Sequence, residues 1–414
     1  MKVLQVNCVY KKGSTGKITY DLHSGLIEKG IESVVCYGRG ELVKEPGVYK
    51  ICPEWYSKIN NALSRITGIM YGGCFFSTKR MISVINKENP DIVHLQCING
   101  YFVNIYRLVE WLKVNHISTV VTLHAEFMYT GGCGHSIDCN QWSTRQGCGH
   151  SRKCPRWRAE TKSLFFDRTG TMWKRMKNAF DGFDDNLIVT SVSPWLMKRA
   201  KKSSILSDKT HCVVFNGIDT SVFHVYKTSG LKEELGLKNE KIIFHATPSF
   251  DLNPEHIKGG FYVNEIAKRF VGQNVKFLVA GSYSADIEVS KNIILLGKVT
   301  DQKKLAKLYS LADMTLLTSR KETFSMVTVE SLCCGTPVVG FRAGGPEQIA
   351  IKEYSKFVEY GDIDSLDTII GNMIWNNIDK KYISKKASAK YGKDIMCENY
   401  MRVYKELYKE EIKE

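Results

Sequence analysis

Short apolar runs rich in valine and isoleucine recur along this chain, and helix-patterned stretches separate many of them. A first series occupies residues 3–6, 33–37, 91–95, 119–123, 187–192 and 212–215; a second occupies 241–245, 275–280, 293–296, 314–317 and 337–341. Several runs are almost continuously apolar, which suits parallel strands buried on both faces better than strands with one wet face. Residues 18–29 and 305–312 carry helical periodicity between them. Strand–helix alternation of this kind predicts the α/β class with doubly wound parallel sheets. Two series predict two sheets, and the break falls after Phe215, where Asn216-Gly217-Ile218-Asp219 reads as a turn. On this reading residues 1–215 form one domain, the polar stretch 216–240 a linker, 241–390 a second domain and 391–414 a terminal helix. Tyr400, Tyr404 and Tyr408 recur every four residues, so they share one face of that helix. A candidate surface for that face to pack against is the N-terminal domain.

Composition narrows the class further. A chain of 414 residues with 43% apolar and 24% charged residues is an ordinary globular protein, not a disordered or fibrous one. No apolar run reaches the ~18 residues that a spanning helix needs. The start, MKVLQVNCVYKKG, is broken by Gln5 and Asn7 and reads as a first strand rather than a signal peptide, so a cytoplasmic location is expected. The net charge of +15 calls for an anionic partner: phosphate, nucleic acid or an anionic membrane. Residues 151–202 hold thirteen Lys or Arg against five Asp or Glu, which makes them the densest basic segment.

Two loops are candidates for chemistry. Gly13 and Gly16 lie in a turn between the first strand and a helix, where glycines let the backbone approach a phosphate and free N–H groups favour it. Lys12 and Ile18 break the Walker A pattern, and the turn is not GxGxxG either. The second candidate is the string from Ser319 to Val339. A strand ends near Leu317, a loop carries Glu322, and a helix from about Ser325 to Cys334 carries Glu330 and stops at Gly335 and Pro337. Open α/β sheets bind ligands beyond the carboxyl ends of their strands, where this loop belongs. A helix start can take a diphosphate while carboxylates hold sugar hydroxyls.

Glu322 and Glu330, followed by Gly335-Thr336-Pro337-Val338, resemble the Glu-x7-Glu motif of the retaining glycosyltransferases of family 4, which have the GT-B fold of two Rossmann-like domains. Asn216-Gly217-Ile218-Asp219, Lys258-Gly259 and Gly344-Gly345-Pro346-Glu347 are similar to further segments of that family, and the turn at Gly13–Lys17 matches its first loop more loosely. Residues 90–95 and the cysteine-rich insertion look like bacterial exopolysaccharide or O-antigen transferases of the colanic-acid type. The resemblance implies a role for each residue. Glu322 would contact the donor sugar, Glu330 the ribose, and Lys258 the diphosphate. His124 would be the pocket histidine of the first domain, and backbone amides near Phe324 and Ser325 would cap the phosphates. It implies transfer from a UDP- or GDP-linked sugar to a saccharide or lipid-linked saccharide for surface polysaccharide, with retention and without a catalytic metal. No Asp-x-Asp motif stands in a matching context. Two departures stand out. The arginine usual before Lys-Gly is missing, which leaves His256 or Arg320 as replacements or Lys258 acting alone, and Thr323 and Ser325 stand where the family has glycines.

Cys133, Cys139, Cys148 and Cys154 lie in an insertion at about 130–156 with spacing C-x5-C-x8-C-x5-C. Three states are open to them: a structural zinc, two disulfides, or free thiols. The basic segment that follows interleaves Leu164, Phe165, Phe166, Met172, Trp173, Met176 and Phe180 with its cations. It reads either as a platform for an acceptor at an anionic membrane or as an ordinary packed helix with a wet basic face. Three other functions compete with transfer: a nucleotide-sugar epimerase of the same fold, a catalytically inactive sugar-binding protein, and a basic nucleic-acid-binding protein. No nucleic-acid motif supports the last, so no nucleic-acid partner is expected.

Overall fold

A computed structural model describes residues 1–150 and 153–408. The chain forms two compact units, the first being Met1–Gly217 together with the chain from Met396, the second Ile218–Ile395. No helix among the described residues is long and apolar enough to cross a membrane.

The first unit holds seven strands: β1 (Lys2–Asn7), β2 (Glu32–Tyr37), β3 (Val48–Lys50), β4 (Ile92–Leu95), β5 (Thr119–Leu123), β6 (Leu187–Ser191) and β7 (Thr210–Val213). They make one parallel sheet in the order β3-β2-β1-β4-β5-β6-β7. The helices are α1 (Gly13–Glu28), α2 (Glu54–Thr67), α3 (Phe75–Glu88), α4 (Ile105–Val114), α5 (Trp157–Thr161), α6 (Thr169–Phe180) and α7 (Pro194–Ala200). Gln5 and Asn7, polar breaks in the first run, are both fully buried in β1. They are tolerated because they are bonded: Gln96 Nε2 donates to Gln5 Oε1 at 2.7 Å and Asn7 Nδ2 to Val9 O at 2.7 Å.

In the second unit α8 (Ser229–Glu234) precedes β8 (Lys241–Ser249), α9 (Gly260–Arg269), β9 (Val275–Ser282), β10 (Ile293–Gly297), α10 (Gln302–Leu311), β11 (Met314–Leu317), α11 (Met326–Cys333), β12 (Val338–Phe341), α12 (Pro346–Ile349), β13 (Lys356–Val358), α13 (Ile363–Met373) and α14 (Lys380–Tyr391). Its parallel sheet runs β10-β9-β8-β11-β12-β13. Ile243, Val279, Met314 and Val339 from four strands pack with Leu366 and Ile370 of α13 into a buried core. Of the stretch 216–240, read as a linker, residues from Ile218 on belong to this unit: Phe223 is buried and α8 lies within it.

The end of the chain departs from one continuous helix. Ile218 N–H donates to Tyr391 O at 2.8 Å and Lys393 N–H to Ile218 O at 2.9 Å, so the turn at 216–219 interrupts the helical ladder at Gly392. A separate helix, α15 (Lys393–Leu407), follows. Within the first unit its Tyr400 hydroxyl lies 3.0 Å from Thr122 Oγ1 and its Tyr404 hydroxyl 2.8 Å from His94 Nδ1. Tyr408 is the last described residue.

Candidate active site

Strand order reverses between β8 and β11, and the loops that leave these two strands meet over that switch point, the ligand position of open α/β sheets. The β8 loop brings Lys258 and the β11 loop brings Glu322; Lys258 Nζ donates to Glu322 Oε1 at 2.6 Å, with side-chain exposures of 30% and 18%. Glycine makes the approach. Gly259 sits at φ +66°, and a Cβ there would fall 2.2 Å from Thr318 O. Thr318 Oγ1 and Arg320 N–H donate to Lys258 O and Ile257 O at 3.1 and 2.9 Å, which ties the two loops together.

A third loop braces Glu322. Its N–H donates to Ala343 O and its carbonyl accepts from Gly345 N–H, both at 2.9 Å. A Cβ on Gly345 would meet Thr323 O at 2.5 Å. Glu347 closes the turn by accepting from the N–H groups of Ala343 and Gly344 at 3.0–3.1 Å. The Gly-Gly-x-Glu segment therefore holds the Glu322 loop in shape.

Ser325 N-caps α11, its Oγ accepting from Thr328 N–H at 3.2 Å. Its backbone sits at φ 79°, ψ 92°, a region that costs a non-glycine residue of order 1–3 kcal/mol. The start of α11 lies directly after Glu322 and Phe324, and its first N–H groups form an anion-favouring end. Phe324 is buried, its ring centroid 6.2 Å from that of Tyr391.

On the β8–β10 side of the switch point lies a cavity of about 310 Å³. Thr247, Gly281 and Lys298 from the ends of three strands line it, together with Tyr309, Val327 and Glu330. Tyr309 donates to Glu330 Oε2 at 3.0 Å, which fixes the carboxylate at the cavity wall. Sequence reasoning missed Thr247, Lys298 and Tyr309. Their common signal is position, at strand ends or two turns along a helix, and not residue type. Of the replacements considered for the missing arginine, Arg320 reaches Glu255 at 3.5 Å and lies 5.6 Å over Tyr360, and His256 sits on the Lys258 loop itself.

The remaining predicted residues belong to the first unit. His124 follows β5, half-buried, and desolvation holds its pKa at about 4, so the ring is neutral near pH 7. Two residues on, the buried Glu126 carboxylate accepts from Arg199, Ser136 and Tyr129 and anchors the loop after His124. Gly13 is exposed at φ +67° and opens α1, while Gly16 packs 3.0 Å (measured to an added Cβ) from Val9. Cys133, Cys139, Cys148 and Cys154 are all buried and free. Cys133 donates to Cys154 and draws its thiol down to about 7, and Cys148 lies within electrostatic reach of both Cys139 and Cys154. Among the described residues, no group of three or more His, Cys, Asp or Glu side chains is placed as a metal-binding set.

The class follows from fold and sequence comparison together. Solved structures align along the whole chain: sucrose-phosphate synthase of Thermosynechococcus elongatus at TM-score 0.66 and 14% identity, over 98% of this chain and 99% of that one, and the Anabaena protein HepE in complex with UDP at 0.65 and 14%, over 98% and 100%. These alignments and the two Rossmann-like sheets define the GT-B fold. Residues 233–390, within the second unit, match the family model Glycosyl transferases group 1. Among the relatives of this chain is WcaC of Escherichia coli strain K12, named as a colanic acid biosynthesis glycosyl transferase, 23% identical over 425 residues that cover 98% of this chain and 100% of WcaC.

Proposed function

We propose that this chain is a retaining, metal-independent glycosyltransferase. It moves a sugar from a nucleoside-diphosphate donor to a saccharide acceptor, free or lipid-linked, in the synthesis of a surface polysaccharide. The observation that carries the reading is the Lys258–Glu322 pair, 2.6 Å apart beside the start of α11. It sets a cation, a carboxylate and a helix N-terminus at one switch point, next to a cavity large enough for a nucleoside. HepE, bound to UDP-glucose in one solved structure, supports a uridine donor, and the name of WcaC supports a polysaccharide product.

In this reading the bond between the anomeric carbon and the β-phosphate oxygen breaks, and the diphosphate leaves with the electron pair. Lys258 and the α11 N–H groups stabilise that negative charge as it grows. The acceptor oxygen bonds to the anomeric carbon on the same face, and its proton passes to an oxygen of the leaving phosphate. Glu322 orients the sugar and Glu330 the ribose. The test is a thermal-shift screen of UDP, GDP and their sugars, followed by determination of the product anomer. A ligand at 100 times its Kd stabilises the fold by about 2.7 kcal/mol. The reading fails if no nucleoside diphosphate raises the melting temperature, or if the transferred sugar is inverted.

A further inference from the structure

Helix α2 is inside out. Its buried side chains are polar: Ser57 Oγ donates to Gly100 O at 3.0 Å, Asn60 Oδ1 accepts from Cys74 N–H at 2.7 Å, and Ser64 is buried beside them. Its apolar side chains face outward: Trp55, Ile59, Leu63 and Ile66, spaced four, four and three residues apart on one face, are 49–63% exposed. The usual arrangement of a surface helix is the reverse.

Two neighbouring segments extend the stripe. At the start of α3, Phe75 and Phe76 are 54% and 71% exposed, and Phe76 joins α2 through Tyr56, whose ring lies 6.1 Å away and whose hydroxyl accepts the Phe76 N–H. On the other side Leu164 N–H donates to Arg65 O at 2.8 Å, and Leu164, Phe165 and Phe166 are 48–65% exposed. The other apolar residues of the basic segment, Met172, Trp173, Met176 and Phe180, are buried by α6, so the segment divides into packed helix and exposed aromatic turn. Nine half-exposed large side chains present on the order of a thousand Å², at roughly half of 150–250 Å² each, more than the largest patch of a typical soluble monomer.

The rim is basic. Lys58, Arg65, Lys162 and Arg168 are exposed around the stripe, with Arg168 over the Phe166 ring at 5.5 Å. The acids of the same segments are already engaged: Glu54 with Arg39, Glu160 with Arg156, and Asp167 with the N–H groups of Cys154 and Thr169. We infer that this face of the first unit docks on an anionic lipid bilayer, the α2 stripe and the flanking phenylalanines entering the headgroup boundary while the cations meet lipid phosphates. Among occupants that could cover an apolar stripe, a cationic rim freed of its acids selects an anionic surface. The inference stands on first-unit side chains alone and is independent of the donor chemistry.

The test is flotation of the full chain with vesicles of phosphatidylcholine containing about one part in four phosphatidylglycerol, against phosphatidylcholine alone. The protein is expected to float with the anionic vesicles, less so at high salt. The pair Ile59→Gln and Leu63→Gln is expected to lower the partition coefficient about tenfold while the thermal shift with UDP is kept. Trp55 gives a second reading: its emission, isolated as the difference from Trp55→Phe, is expected to shift to the blue on anionic vesicles. Absent flotation, flotation unchanged by the double substitution, or no Trp55 shift overturns the inference. So does a lipid-free dimer that the same substitutions dissociate, which would make the face a self-interface.

Discussion

Lys258 and Glu322 hold each other at 2.6 Å, and in the proposed reading this has a measurable consequence for donor binding. At 2.6 Å and an effective dielectric of 20, their attraction is roughly 6 kcal/mol before desolvation. Both groups are partly exposed, at 30% and 18%, so the net worth of the pair is nearer 1 kcal/mol. A diphosphate must draw Lys258 away from that partner. Glu322→Gln removes the competition, so UDP is expected to bind up to about fivefold tighter, the equivalent of 1 kcal/mol. Turnover is expected to fall by ~10²–10³, because the carboxylate assigned to orient the sugar in that reading is gone. Lys258→Ala is expected to lose both, with nucleotide binding weakened and turnover reduced by a similar factor. Calorimetric titration with UDP and initial rates with the matching sugar nucleotide measure the two effects separately. If Glu322→Gln weakens UDP while Lys258→Ala leaves it unchanged, the cation does not meet the diphosphate and the assignment of the switch-point loop is wrong.

Two further outcomes rest on other parts of the molecule. Burial holds His94 at about 3 and His124 and His245 at about 4, below the ordinary 6.5, so between pH 6.5 and 4 the unfolded chain takes up protons that the native chain refuses. Stability is expected to be insensitive to these groups above pH 6.5 and to fall by up to about 3 kcal/mol for each by pH 4; a melting temperature flat across that range would refute it, and His245→Gln should make the slope shallower. At Ser325 the strained φ of 79° and the cap to Thr328 oppose each other, so Ser325→Ala, which keeps the strain and loses the cap, is expected to cost about 1–2 kcal/mol in urea unfolding, whereas Ser325→Gly stays within about 1 kcal/mol of the native chain.

Much of the fold was legible because parallel strands buried on both faces leave nearly continuous apolar strings, and such strings mark β1, β5, β8 and β11 within a residue or two except where β8 runs on through Ser249. Strands β3 and β13 escaped notice for a physical reason: each has three residues at a sheet edge, and neither is buried enough to require an apolar run. The break at Gly392 was hidden because its cause, the backbone of Ile218, lies far away in sequence. At the site, Lys258, Glu322 and Glu330 are tied to short local motifs. Glu347 too stood in a short motif, whereas Tyr309 acts by holding Glu330, a task that no residue type advertises.

The two units differ in how much of their chemistry can be read at a distance, and the difference follows from what each must recognise. In the proposed reading UDP- and GDP-sugars present the same diphosphate and ribose, so a cation, a helix start and two carboxylates serve either donor. The second unit accordingly carries the family match at 233–390. Acceptors and docking surfaces share no common group, so no short motif announces them in the first unit. What hangs from its sheet is a loop of four buried cysteines and a helix whose apolar face is turned outward. Periodicity alone would point the α2 stripe inward, because it records that apolar residues share a face and not which phase that face meets. Only the hydrogen bonds of Ser57 and Asn60 to loops beneath the helix fix the direction. A polar inner face with satisfied partners therefore makes the outward stripe a feature of the fold, on the unit that the match at 233–390 does not reach.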